Sequence, residues 1–405
     1  MKMFKNIRFA ILLAVVFVAG CEREQSTQAR VEVLDVAAQA ETFAPQLFAV
    51  GERVSLSWLE RVGDEHALRY SHWQDNRWSA PRTVRKGSDW FANWADLPGV
   101  RPLEGGRWMA WWLQKSGDGT YAYDVQLAFS DDGENWQPVG TPHDDGTQTE
   151  HGFVTAFELP NNNVALAWLD GRNTAGGGHE HHGPGGMTLR YGMFDTEGRL
   201  VDEAEIDALT CDCCQTDSAV ADDAVVLAYR DRTEEEIRDI LVTRFVDGDW
   251  SEPVRVHADG WKIGGCPVNG PAIAADGENV AVAWFTAPTG KGEVRLAFSE
   301  DGGRTFSPAI RVDDGHPQGR VDLVLADGRA LVSWVEAGES GAEVRLRDVE
   351  PGNKSKQSIT LVKTDAGRAA GFPRMALLDD GSLLLTWTAT GGAARAMRSA
   401  RVYLK

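Results

Sequence analysis

Two strings, TCDCCQT at residues 210–216 and WKIGGCPVNGP at 261–271, bring four cysteines into play: Cys211, Cys213, Cys214 and Cys266. Thiols in such a pattern either bridge or bind metal. An even number in an exported chain predicts disulfides. Cys266 would join one member of the cluster. The neighbours Cys213 and Cys214 cannot pair with each other without straining the peptide between them, so a second bridge would link Cys211 to whichever remains, or there is none. The competing chemistry is capture of a soft ion, copper or zinc, by unpaired thiolates. The string GGGHEHHGPGGM at 176–187 adds His179, His181 and His182, with Met187, as further metal ligands, although a His/Gly-rich stretch is also a common solvated insert. A fourth string, YRDRTEEEIRD at 229–239, sets Arg230, Arg232 and Arg238 among carboxylates, and Asp170-Gly171-Arg172 repeats the theme earlier. Guanidiniums at this density either clamp an anionic ligand bidentately or cancel against their neighbours as a salt-bridge network.

The elements that position these groups recur. Apolar segments end in an aromatic at Trp58, Trp112, Trp168, Tyr229, Trp284, Trp334 and Trp387, at steps of 54, 56, 61, 55, 50 and 53 residues. That interval suits one four-stranded propeller blade and is too long for a helical solenoid unit. A second alternating run follows each aromatic, as in LRYSHW from Leu68 and VRLAFS from Val294, and often a short Pro-containing edge segment such as DWSEPVRV from Asp249. The chain ends without a fourth strand for its last repeat, while VEVLDVA from Val31 has no partner nearby. The expectation is an all-β propeller with antiparallel four-stranded blades, seven in number with six as the alternative, closed by its two terminal strands so that no edge stays open. Tandem β-sandwiches would not require the equal spacing. In such a ring the loops before each first strand, and those joining second to third strands, lie at one end. Trp90, Trp94, Asp96, Glu150, His151, the cysteines, Trp261 and Asn269 fall in the first set, and the arginines and His-rich string in the second.

Ser299-Glu300-Asp301-Gly302-Gly303-Arg304-Thr305-Phe306 matches the Asp-box pattern, with Ser299, Asp301, Gly303, Thr305 and Phe306 as its defining residues, and Ser130 to Trp136 is a shorter version. A carboxylate there accepts turn N–H groups and Gly supplies positive φ. On these boxes and blades the chain resembles the sialidase or BNR-repeat superfamily of propellers. That resemblance implies a glycan or small anionic ligand at the loop end and exo-α-sialidase-type, retaining glycoside hydrolysis. It implies Asp96, Asp170 and Asp231 as candidate acids, Tyr229 as candidate nucleophile, and Arg172, Arg230, Arg232 and Arg238 as substrate binders. Gly99-Val100-Arg101-Pro102 and Phe372-Pro373-Arg374 only approximate the family's arginine motif. No cofactor is needed for such chemistry. A cell-envelope metal or redox protein and a non-catalytic interaction module remain the other two readings.

The first twenty residues stand apart from the repeats. Lys2, Lys5 and Arg8 precede an apolar run that ends in Val18-Ala19-Gly20-Cys21, a string similar to a bacterial lipobox. The expectation is cleavage after residue 20, a lipid on Cys21, a tether over 21–30 and a single propeller over 31–405. Glu22 is not the Asp that this resemblance associates with inner-membrane retention, which favours the outer membrane if the source is Gram-negative. Loss of the leader takes the net charge from −19 to −22. So acidic a surface repels phosphate backbones, which argues against a nucleic-acid partner, and a monomer is expected.

Overall fold

Each repeated aromatic lies in the second strand of its own antiparallel sheet, for example Trp58 in Arg53–Val62, Trp168 in Val164–Asp170 and Tyr229 in Val225–Arg230. In the computed structural model, which describes residues 29–38, 41–159, 162–174, 185–339, 341–352, 354–392 and 394–404, seven such sheets form a ring. Seven blades, not six, complete the propeller. The last sheet takes Arg30–Leu34 as its outer strand, paired antiparallel with Ala396–Tyr403 in the register Arg30↔Tyr403 to Leu34↔Ser399. The terminal strands therefore close the ring as expected, and the edge of the final blade is covered. The expected leader, most of the expected tether with Cys21, and His179, His181 and His182 lie outside the described residues.

The blades share a packing device. Opposite the aromatic on the third strand stands an arginine in five of them: Trp58↔Arg69, Trp168↔Arg190, Trp284↔Arg295, Trp334↔Arg345 and Trp387↔Arg398. Two residues beyond the aromatic, a polar side chain often accepts its ring N–H: Asp170 from Trp168 at 2.9 Å and Glu336 from Trp334 at 2.6 Å. A buried indole needs such a partner. Apolar side chains fill the spaces between neighbouring sheets. One cluster joins Trp111 and Leu127 of the second blade to Leu166 of the third, and another joins Leu346 of the sixth to Trp387 of the seventh.

The turns over residues 130–136 and 299–306 lock adjacent blades at the end of the ring away from the loops carrying the cysteines. Asp301 Oδ1 accepts the N–H groups of Arg304 and Thr305 at 3.0 and 2.9 Å, and Ser299 Oγ accepts that of Gly303 at 2.9 Å, with Gly302 and Gly303 both at positive φ. The Gly302 carbonyl accepts Arg244 Nε of the preceding blade at 2.8 Å, and the Gly133 carbonyl accepts the Tyr70 hydroxyl in the same way. Seven first strands surround the axis. Three of them, Thr42–Val50, His151–Glu158 and Pro317–Ala326, carry a bulge at a non-glycine residue of positive φ, namely Ala44, Phe153 and Arg320. Each bulge re-aims the strand as it enters the ring.

Candidate functional site

The loop end of the ring is spanned by contacts that cross the axis. Gln215, ahead of the fourth blade, donates from Nε2 to the Ala95 carbonyl of the second at 2.7 Å, and its Oε1 accepts the Gly270 N–H of the fifth at 3.1 Å. Trp94 of the second blade stacks on Phe372 of the seventh, with ring centres 5.7 Å apart. The guanidiniums of Arg320 and Arg368 stand 5.6 and 5.8 Å from its ring centre. Such cation–π contacts hold an aromatic in place where polar neighbours converge. This roof rests on residues from five blades, and periodicity alone contains no signal for it.

The cysteines lie inside the roof. Cys211, Cys213 and Cys214 are buried, Cys266 is half-buried, and all four are free. Sγ atoms of the first three lie within 4.8 Å of one another, with 3.3 Å between Cys211 and Cys214. The disulfides expected from their even number are thus not formed in this structure. Arg238 Nη1 donates to Cys211 Sγ at 3.3 Å. Burial pushes the Cys211 thiol up, but hydrogen bonds from Cys213 and Cys214 and the charges of Arg238 and Arg230 outweigh it and hold Cys211 well below the usual thiol range. Cys213, by burial and by the hydrogen bonds it gives to Cys211, Cys214 and Cys266, is held well above it.

The arginines are occupied. Arg230 is 1% exposed and spends its guanidinium on backbone carbonyls: Asn269 at 3.1 and 2.9 Å, Arg238 at 2.7 Å and Phe285 at 2.7 Å. The expectation that it binds substrate is corrected to that of a clamp between the fourth and fifth blades. Arg238, equally buried, is tied to Glu236 at 2.7 Å and to Cys211. It too serves the internal network. Arg232 pairs with Glu236 at 2.6 Å and Asp212 at 3.2 Å, and Arg172 pairs with Asp170 at 2.8 Å and Glu203 at 3.2 Å, both keeping some exposure. Of the two chemistries open to these groups, the salt-bridge network is what the geometry contains.

The candidate acids and nucleophile separate in the same way. Tyr229 is fully buried and donates its hydroxyl to Asp207 at 2.6 Å; burial and that carboxylate push its ionisation far up, which removes the role of nucleophile. Asp170 carries the Trp168 ring N–H and the Arg172 guanidinium, the same structural post as Glu336 in the sixth blade. Asp231 is partly buried at the rim, where burial and the nearby Asp207 raise it to about 6. Asp96 is fully buried beneath the roof, where burial raises it to about 7. It accepts the Tyr123 hydroxyl at 2.7 Å and the Phe153 N–H at 2.8 Å, and Tyr123 also lies 2.8 Å from Glu150 Oε1. This Asp96–Tyr123–Glu150 group is unforeseen, because Tyr123 reads as an ordinary strand residue.

Between the second and third blades His143 and His151 stack face to face, with ring centres 3.8 Å apart and planes 12° from parallel. Asp145 Oδ2 lies 3.0 Å from His143 Nδ1 and 3.1 Å from His151 Nε2, and Asp124 closes the other edge. Only His151 stands out in the sequence by position. The rest come from separate segments with no metal-motif spacing.

Along the axis runs a cavity of about 610 Å³ lined by the first strands. Its charged lining comprises Arg101, Glu104, Glu158, Asp217, Asp322 and Arg374. Arg374 Nη1 donates to Asp322 Oδ1 at 3.3 Å, but Nε of Arg374 and Nε of Arg101 are buried without a hydrogen-bond partner among the described residues. Burial raises Asp322 to about 6 and also raises Asp217 and Glu158. Charged residues on strands that otherwise face the axis were the available signal for this cluster.

No family model and no curated protein matches the chain. Several solved structures, distant in sequence, are similar to it. An ulvan lyase of polysaccharide lyase family PL25, bound to -[GlcA(1-4)Rha3S]-, has a TM-score of 0.59 at 12% identity, covering 92% of this chain and 95% of its own. A protein of unknown function from Dyadobacter fermentans has 0.53 at 14%, covering 93% and 99%. An α-L-arabinanase from Penicillium chrysogenum, complexed with arabinobiose, has 0.51 at 13%, covering 78% and 95%. These similarities establish the shared fold.

Proposed function

We propose that the protein binds and processes an acidic glycan, a sialoside or uronate-containing chain, in the axial cavity. The observation that carries this reading is the pair of guanidiniums, Arg101 and Arg374, each with a buried Nε that no group among the described residues satisfies, beside Asp217, Asp322 and Glu158. A sugar carboxylate supplies the acceptors those groups lack. Asp322, held near 6, is protonated often enough near neutrality to serve as proton donor to a glycosidic oxygen. The cavity lies within the range of about 300–1,000 Å³ usual for small-ligand sites. Similarity to glycan-active propellers supports the same reading, which shifts the sialidase-type site from the loop-end arginines to the axis. A Tyr229→Phe variant should keep whatever turnover the wild type has. The main test is saturation-transfer NMR and reducing-end assays with sialosides and uronate polysaccharides on wild type, Arg101→Gln and Arg374→Gln. Binding without turnover would leave an interaction module, and no difference between wild type and variants would refute the site.

A second reading, soft-metal binding by the four cysteines, is supported by three buried Sγ atoms within 4.8 Å of one another and by the Arg238 guanidinium against Cys211. Copper(I) or zinc would be the ion. Anaerobically purified protein should then hold one thiol-bound ion, lost in Cys213→Ser; two intact disulfides and no ion would end this reading. Envelope placement through a lipid on Cys21, in the outer membrane, belongs to the same proposal. Radiolabelled fatty acid should be incorporated by the wild type and not by Cys21→Ser.

A further inference from the structure

We propose that the four loop-end cysteines form a two-step relay that exchanges electrons with a small-molecule disulfide of the glutathione type, with Cys266 and Cys213 as the outer pair and Cys211 and Cys214 as the inner pair. The relay uses the sulfurs of the metal reading but needs no ion. All four thiols are free, so the structure holds the reduced form. A turn over Asp212 and Cys213 brings Cys211 and Cys214 together, with their Sγ atoms 3.3 Å apart. Two intervening residues is the spacing of redox-active dithiols. The peptide between Cys213 and Cys214 bars a bond between those two, and Cys213 already hydrogen-bonds to Cys266. Four thiols can pair in three ways, and these contacts favour Cys211 with Cys214 and Cys213 with Cys266.

The two pairs differ in access. Cys211 and Cys214 are 1% and 2% exposed, too deep for an outside disulfide to reach, whereas Cys266 is half-buried. It follows Gly264 and Gly265, and a Cβ added at either would meet nothing within 4 Å, so the approach to it is open. Cys213 lies between, its Sγ within 4.8 Å of both inner sulfurs. Arg238 Nη1 donates to Cys211 Sγ at 3.3 Å in the reduced form. A disulfide sulfur is a poorer acceptor, so this contact favours the dithiol and keeps the inner pair exchangeable. When Cys211 is bonded, Arg238 retains Glu236 at 2.7 Å as its counter-charge.

Exchange begins when the Cys266 thiolate attacks an outside disulfide, which releases one small thiol and leaves a mixed disulfide. Cys213 then attacks Cys266 Sγ and expels the second small thiol. Cys211 attacks Cys213 and frees Cys266; Cys214 attacks Cys211 and frees Cys213, which leaves the bond on the inner pair. Each outside disulfide takes two electrons and two protons from two protein thiols, and a second one refills the outer pair.

The test uses oxidised and reduced glutathione as probes on full-length protein carrying Cys21→Ser, with a chelator present. Free thiols are counted by alkylation and mass spectrometry across a series of glutathione buffers; metal content is measured separately without chelator, so that failure of the relay and failure of the metal reading are told apart. This parent protein should pass reversibly from four thiols to two and then to none while it stays folded. Cys211→Ser with Cys214→Ser should form one disulfide at the parent rate. Cys213→Ser with Cys266→Ser should form one roughly tenfold or more slowly. Cys211→Ser with Cys213→Ser should form none and only acquire glutathione on Cys266. Four thiols that persist in the most oxidising buffer, inner-pair oxidation at the parent rate without Cys266, a bond between Cys214 and Cys266, or disulfides that reduce only on unfolding would overturn the relay. The parent titration decides the matter even where a double variant fails to fold.

Discussion

Asp96 offers the most direct measure of how tightly the roof is built. Its carboxyl is 0% exposed, and burial raises it from an ordinary 3.8 to about 7. An unfolded chain releases this proton near 3.8, whereas the folded protein keeps it until about 7. Between those values the native state holds the extra proton, so the stability linked to Asp96 is fully present below 3.8 and is lost as pH rises through 7. The full span is worth about 4 kcal/mol, and the part between pH 5 and pH 8 about 3 kcal/mol. Asp96→Asn preserves the shape, can still accept the Phe153 N–H and cannot ionise. Relative to wild type, the variant should therefore gain about 3 kcal/mol on going from pH 5 to pH 8. Urea unfolding followed by tryptophan fluorescence at several pH values measures this. A stability difference that stays flat across the window would refute the buried, protonated Asp96 on which the reasoning rests.

Gly152→Ala should be among the most destabilising single-methyl additions, costing roughly 3 kcal/mol or more, because its Cβ would stand 1.9 Å from Asp96 Oδ2 and 2.9 Å from the Tyr123 ring. Chemical denaturation of the purified variant checks it. Arg230→Ala strips donors from three backbone carbonyls and should cost about 3 kcal/mol or more, with a matched fall in denaturation midpoint; a change within experimental error would refute its role as a clamp. Deleting residues 29–34 uncovers the edge of Ala396–Tyr403 and should lower Tm and promote self-association, seen by light scattering.

The ring itself was written into the sequence. Seven aromatics at even spacing set the blades, Val31 announced the closing strand, and Ser299 to Phe306 announced its turn, because each depends on local pattern. The chemistry was less legible. Arg230 and Asp231 are adjacent in the chain, yet one is sealed among carbonyls and the other sits at the rim, a difference fixed by Asn269 and Phe285 of the next blade. Asp170 read as an acid, but its place two residues after Trp168 gives it the indole and Arg172 to hold. The meeting of Asp124, His143 and His151, and that of Arg101 with Asp322 and Arg374 around the axis, depend on how blades are set side by side. No spacing rule within one segment encodes that.

Because Arg30–Leu34 supplies the outermost strand of the seventh sheet, the circle cannot shut until it pairs with Ala396–Tyr403. Until then the sheets form an open crescent with two unpaired edges. Closure of the ring is thus timed by this pairing, and helpers that shield exposed edges would act before Ala396–Tyr403 docks rather than after.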